Sequence, residues 1–387
     1  MASRTRIVVL LVSTPILAFV VVGGFLGKVN ARSADDSRYL RVFEDVLSLV
    51  LNNYVERVDL PRVMTGAMHG LADGLDADTA YLTAEEVKSL EAPPAGRGVG
   101  LELTRQYYLR VVSARDGSPA ATAGLRTGDY IRAIDGKPTR DMSVFTGMRL
   151  LRGAPGTKVA LTVLRGSAAE PHTVDLVRGS EGESALASRM AAPGVGYVRI
   201  PAFGAGTASD LKVKIATLTR QGAARLIVDV RGTAHGPLEA GIDAARLFVG
   251  SGTLVIREAR NQGRDAVAAA ASDGSITLPV LLLTTNGTSG AAELFVAALA
   301  GNKRAQIVGE RTLGRAGLQK LVPLPDGSGL WLTHARFLTP GATSIHGTGI
   351  EPNVEVAEPD VEFGAAPPET DPILQKALEQ FAGKAAA

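Results

Sequence analysis

A nucleophile in this chain would be sought first in the stretch from Leu281 to Gln319. The apolar run Val280–Leu283 reads as a buried strand. A polar turn, Asn286–Ser289, follows, and then Ala291–Ala300, good helix formers with apolar residues nearly all round. A short strand, Ala305–Val308, and a glycine-rich loop, Gly309–Gly317, close the unit. Strand, turn and helix form a common way to hold a nucleophile at a helix N-terminus. There the dipole and the free N–H groups favour developing negative charge. At that place the chain offers Ser289 and Gly290, with Glu293 in the first turn. Arg315 and Gln319 follow downstream.

The stretch resembles the catalytic core of the carboxy-terminal processing peptidases, serine proteases with a Ser–Lys dyad. Their motif reads N-x-x-S-A-S-A-S-E-I, and later G-x-x-T-x-G-K-G-x-x-Q, in which the glutamine orients the lysine. Registering on Glu293 puts Gly290 at the nucleophile position. The later motif reads Gly309-Glu310-Arg311-Thr312-Leu313-Gly314-Arg315-Ala316-Gly317-Leu318-Gln319, so the lysine position is Arg315 and the glutamine is kept as Gln319. Glycine has no nucleophilic atom. Arginine stays protonated at any working pH and cannot accept a serine proton. A third departure lies in the loop that lends an oxyanion-hole N–H in the family as N-P-G-G. It reads Gly232-Thr233-Ala234-His235-Gly236 here, with His235 where the first paired glycine stands. The scaffold of a serine-type endopeptidase is therefore expected without its two reacting groups. A relocated pair, Ser289 activated by His235, is the open alternative. Against it stands the ordinary role of serine there, capping the helix that begins near Gly290. Arg315 is expected to pair with Glu293 or Glu310.

The chain has 387 residues, 45% of them hydrophobic, enough for several packed domains. A net charge of +2, with no basic stripe, argues against nucleic acid. Without cysteine there are no disulfides and no thiolate chemistry. The five histidines show no metal spacing, so no metal and no cofactor are expected. Arg4 and Arg6 precede an apolar run over residues 7–26, long enough to span a bilayer. It reads as a signal anchor, with a cleaved signal peptide (Ala31-Arg32-Ser33 as cleavage site) as the rival. Either way the rest of the chain is exported to the periplasmic side of the cytoplasmic membrane.

The expected fold class is α/β multidomain: a helical N-terminal segment and a PDZ domain inserted before an α/β protease-like core. Residues 1–33 are the signal segment and 34–95 the helical region. There Tyr39, Val42, Phe43 and Val46 recur at helical spacing. Family matches in that region are Tyr54-Val55, Leu75-Asp76 and Tyr81-Leu82, whereas Ala77-Asp78-Thr79 stands where the family reads P-H-S. Residues 96–180 resemble a PDZ domain through the ordered string Gly98-Val99-Gly100-Leu101, Gly117-Ser118-Pro119-Ala120, Gly128-Asp129 and Ile134-Asp135-Gly136. Such a module adds a peptide strand to its sheet edge while loop amides hold the terminal carboxylate. The expected contacts are Gly98, Val99, Gly100 and Leu101, with Arg97 beside them. Residues 181–356 form the core, read as a mainly parallel sheet under helices, with an alanine-rich loop at 263–274. Residues 357–387 are a linker and a closing helix.

The resemblance and its departures together imply an inactive homologue that binds C-terminal tails of envelope proteins as scaffold or regulator, with an active paralogue among its partners. An active endopeptidase using Ser289 is the alternative, and a homo-oligomer is open.

Overall fold

The structure is a computed structural model and describes residues 34–91, 96–166, 170–179, 181–182, 185–260, 262–366 and 368–383. The expected anchor at residues 7–26 lies outside them. Among the described residues no helix is long and apolar enough to cross a membrane. Two compact units divide after Ala67. The first contains the helix Ala34–Asn53 and the start of the helix Leu60–Asp73. Tyr39, Val42, Phe43 and Val46 form the expected apolar face of the first helix, and all four are exposed.

Among the described residues the second unit holds three sheets. The PDZ sheet runs Leu101–Gln106, Tyr108–Ala114, Tyr130–Ile134, Lys158–Leu164 and His172–Val177, so Leu101–Gln106 is an edge strand. The Gly117–Ala120 signal resolves as a short helix, Pro119–Thr122. Ser118 is its N-cap, accepting from the Ala121 N–H, and Pro119 fills the first position. The helix Val144–Leu150 packs on the edge strand.

The central sheet runs Val354–Glu355, Ala305–Gly309, Val280–Thr284, Arg225–Asp229, Val195–Arg199 and Ala187–Ala192. Its pairs are parallel except the last, which is antiparallel. The strands read as continuous apolar runs because both faces are covered. Leu226, Val228, Leu282 and Ile307 face the helices of the main core. Ile227, Leu281, Leu283 and Val308 face Ile373, Ala377 and Phe381 of the closing helix Pro372–Gly383. Each such fully buried side chain contributes roughly 1.5–3 kcal/mol. The helix Ala291–Gly301 is buried from Ala291 to Leu299, as its all-round apolar sequence requires.

The third sheet departs from the sequence reading in two places. Residues 263–268 form a strand, antiparallel to Thr253–Ala259, rather than an alanine-rich loop. Ala80–Leu82, inside the expected helical region, is a strand paired with Gly329–Trp331. Three residues are too few to show a period of two, and cross-strand pairing to a distant segment decides their state. This brings Asp76–Thr79 to the peptidase core, where Thr79 Oγ1 accepts from the Thr333 N–H.

Candidate active site

The strand Val280–Thr284 delivers the chain into the turn at Asn286–Ser289. The helix Ala291–Gly301 leaves it with Gly290 as N-cap. Thr288 knits the turn: its hydroxyl donates to the Val230 carbonyl at 2.8 Å and accepts from the Thr285 N–H at 3.1 Å. Gly290 has φ +63° and ψ −122°, a backbone state costly to an L-residue and the kind of strained strand-to-helix turn that presents nucleophiles. A side chain there has room. The nearest atoms to its Cβ would be Leu238 Cδ2 at 3.6 Å, the Ala234 carbonyl oxygen at 3.9 Å and the Arg315 carbonyl oxygen at 4.0 Å. The geometry of a nucleophile elbow is thus present around a residue with no nucleophile.

Glu293 anchors the site and is fully buried. One carboxylate oxygen accepts from Thr312 Oγ1 at 2.5 Å and from the Gly314 N–H at 2.6 Å. The other accepts from the Arg315 N–H at 2.7 Å and from the Gly290 N–H at 3.1 Å. Burial raises its pKa and these donors oppose the rise. Four donors and no acceptor make it the carboxylate form that fits the cage. Glu293, not Ser289, therefore closes the helix N-terminus. Ser289 donates its backbone N–H to the Thr233 carbonyl, but its hydroxyl is buried with no hydrogen-bond partner, so the expected serine cap is absent.

Arg315 turns its side chain away from Glu293 and from Glu310, the expected partners. Nε lies 2.7 Å from Asp78 Oδ1. Nη1 donates to Glu102 Oε1 at 2.7 Å and to the Leu103 carbonyl at 3.1 Å. Burial works against the charge, yet Asp78 and Glu102 more than offset it and hold the guanidinium above its ordinary range. A general base cannot be made from this group. Gln319 does not orient it: its amide donates to Thr333 Oγ1 at 3.2 Å, one strand away.

His235 lies with Nε2 3.7 Å from Glu102 Oε2, and its Nδ1 is buried without a partner. Burial pushes its pKa below the usual range, with Glu102 pulling the other way. No hydrogen bond joins it to Ser289. The expected loss of backbone freedom at this position does not arise, because the left-handed conformations fall on Gly232 and Gly236 and not on His235. Asp78 and Glu102 were missed by the sequence reading. Asp78 had a trace: it stands in the Ala77-Asp78-Thr79 mismatch, at the family's histidine, so two departures from the pattern meet as one ion pair.

The PDZ domain sits directly on the turn. A Cβ at Gly287 would lie 2.5 Å from Thr127 Oγ1 and 2.8 Å from the Val112 carbonyl, so only glycine permits this approach. Arg199 bridges the same two parts, bonding Asp116 through both Nε and Nη2 at 3.0 Å. Of the expected carboxylate loop, Gly98, Val99, Gly100 and Leu101 are buried while Arg97 is exposed and pairs its backbone with Gly153. Among the described residues no cluster of three or more His, Cys, Asp or Glu side chains could hold a metal ion.

Comparison with known proteins decides the family. Residues 194–356 match the model of peptidase family S41 and residues 110–165 that of the PDZ domain. The chain is 34% identical over 314 residues to a carboxyl-terminal-processing protease of Synechocystis, covering 79% of this chain and 73% of that one. This chain belongs to the carboxyl-terminal processing proteases. It is 29% identical over 341 residues to the carboxy-terminal processing protease CtpA of Bacillus subtilis, covering 87% of this chain and 72% of the relative. Among solved structures it is similar to the photosystem II D1 C-terminal processing protease, at 30% identity and a TM-score of 0.69, covering 81% of this chain and 86% of that one. The mixed α/β fold with a PDZ domain before the peptidase core is that of the family.

Proposed function

We propose that this chain is a non-proteolytic family member. It binds free protein C-termini through its PDZ domain and acts as a scaffold or regulator, beside an active paralogue, on the periplasmic side of the cytoplasmic membrane. The observation that carries the reading is the pairing at the two reacting positions. Gly290 supplies no nucleophile, and Arg315 is bound into Asp78 and Glu102 with its charge reinforced. The apolar run at 7–26 behind Arg4 and Arg6 supports export. The test incubates purified residues 34–387 with tail peptides and with a serine-directed phosphonate. Neither cleavage nor labelling is expected.

A second reading keeps proteolysis, with Ser289 as nucleophile. Its support is that Ser289 Oγ and His235 Nδ1 are both buried without a hydrogen-bond partner. Cleavage by the wild type that is lost in Ser289→Ala would favour it and remove the first reading.

A further inference from the structure

The peptide-receiving edge of the PDZ domain is held by the chain itself. Among the described residues, strand Leu101–Gln106 pairs only with Tyr108–Ala114. Opposite Leu103 lies Val111. Both backbone groups of Val111 are spent on the far side, its N–H on the Asp129 carbonyl and its carbonyl on the Gly128 N–H. In an antiparallel ladder the facing residue then points its own groups the other way. The Leu103 carbonyl therefore faces the open edge, and the group it accepts there is Arg315 Nη1 at 3.1 Å. An added peptide strand needs that acceptor.

Independent contacts grip the same end of the domain. Glu181, in the segment leading from the PDZ domain to the core, accepts the Gly98 N–H at 2.9 Å and pairs with Arg152 at 2.8 Å. The Glu181 carbonyl also crowds Gly100: a Cβ there would lie 2.8 Å from it. The first amide of the Gly98–Leu101 loop thus already holds a carboxylate, and an arginine already caps the edge. Arg315 adds a second grip through Glu102, on the same strand, and a third through Asp78, on the core side.

We infer that Arg315 is a clasp: at the position of the family's base it binds the PDZ edge strand to the core, and a C-terminal peptide must displace it, along with Glu181, to bind. The inference rests on the peptide-binding reading and specifies how that site is regulated. It also gives the arginine a use: its always-charged fork reaches Asp78 through Nε while Nη1 holds Glu102 and the Leu103 carbonyl, two sets of partners served by two different nitrogens where a lysine has one.

The test measures binding of a fluorescent peptide with a free apolar C-terminus to residues 34–387. The proteins are wild type, Arg315→Ala, Glu181→Ala and the double variant. Hydrogen exchange at Leu103–Gln106 is followed in each. Removing one charge-assisted competitor should tighten binding by roughly tenfold. Arg315→Ala should also speed exchange along the edge strand. Glu181→Ala serves where Arg315→Ala folds poorly, since its side chain is partly exposed at 28%. Equal peptide affinity in all four proteins overturns the clasp while leaving peptide binding intact. Absence of binding in all four overturns the peptide-binding reading, and the clasp with it. Unchanged exchange in a folded Arg315→Ala overturns the clasp by a route that needs no peptide.

Discussion

Glu293 and Arg315 touch through one hydrogen bond, yet they are built in opposite ways. Every partner of the Glu293 carboxylate lies within 22 residues of it, and three of the four are backbone amides. The Arg315 side chain reaches Glu102, 213 residues away, and Asp78 near the start of the same unit. The glutamate cage is local geometry: a helix N-terminus and a glycine-rich loop folded onto one carboxylate. The arginine clasp is tertiary, joining three segments that nothing local brings together. The first matches the family's motif and keeps its scaffold. The second stands at the position of the family's lysine, and it ties that position into ion pairs with Asp78 and Glu102.

Glu293→Gln is the strongest way to break this contrast. It would set an amide N–H₂ against buried donors inside the cage. A loss of about 3 kcal/mol or more is expected by denaturant unfolding, since a buried charged network loses a member. A loss below about 1 kcal/mol would mean that the cage does not hold the helix N-terminus.

Arg315→Met comes next. It strands Asp78 and Glu102, but the arginine side chain keeps 24% of its exposure, so water recovers part of the cost. About 2 kcal/mol is expected. Adding Glu102→Gln to the variant should return some of it. Strict additivity of the two changes would argue that the pair does not couple.

Gly290→Ser with Arg315→Lys restores both reacting groups. The serine takes a left-handed backbone state, at a cost of about 1–3 kcal/mol. Turnover of tail peptides, followed by mass spectrometry, should remain absent. His235 stands where the family's loop lends an oxyanion-hole N–H, and a missing donor is typically worth about 10²–10³ in rate. Measurable turnover would show that position 235 and its loop are competent as they stand.

The smallest effect separates two histidines. His346 has its pKa raised, chiefly by the Asp76 carboxylate 3.7 Å from its Nε2. Its contribution is therefore full below the unfolded value of 6.5 and is lost as pH rises through the folded value. His235, lowered by burial, does the reverse: the unfolded chain takes the proton first, so stability falls as pH drops below 6.5. His346→Gln should lower the denaturant midpoint at pH 6 and leave it unchanged at pH 9. His235→Gln should flatten the decline on the acid side. Equal shifts at both pH values for either variant would remove the titration argument.

The residues alone carried the PDZ domain and the peptidase core, and they put Gly290 and Arg315 at the family's nucleophile and base positions. These rest on local order: turn glycines, strand periods and a motif whose spacing registers on Glu293. The anchor or cleaved signal expected at 7–26 rests on length and apolarity alone and lies outside the described residues. What the sequence did not carry is pairing at a distance. Ala80–Leu82 is a strand only because Gly329–Trp331 lies beside it, and the alanine-rich 263–268 is a strand only because Thr253–Ala259 is. Ser289 was expected to cap a helix that Glu293 closes instead, because a carboxylate three residues into a helix reaches back to the N-cap amide, here the Gly290 N–H. Arg315 was expected to pair with Glu293 or Glu310, close in sequence. The fold set Asp78 and Glu102 against it, because docking the PDZ sheet edge onto the Gly309–Gly317 loop places charges together that no spacing along the chain foretells.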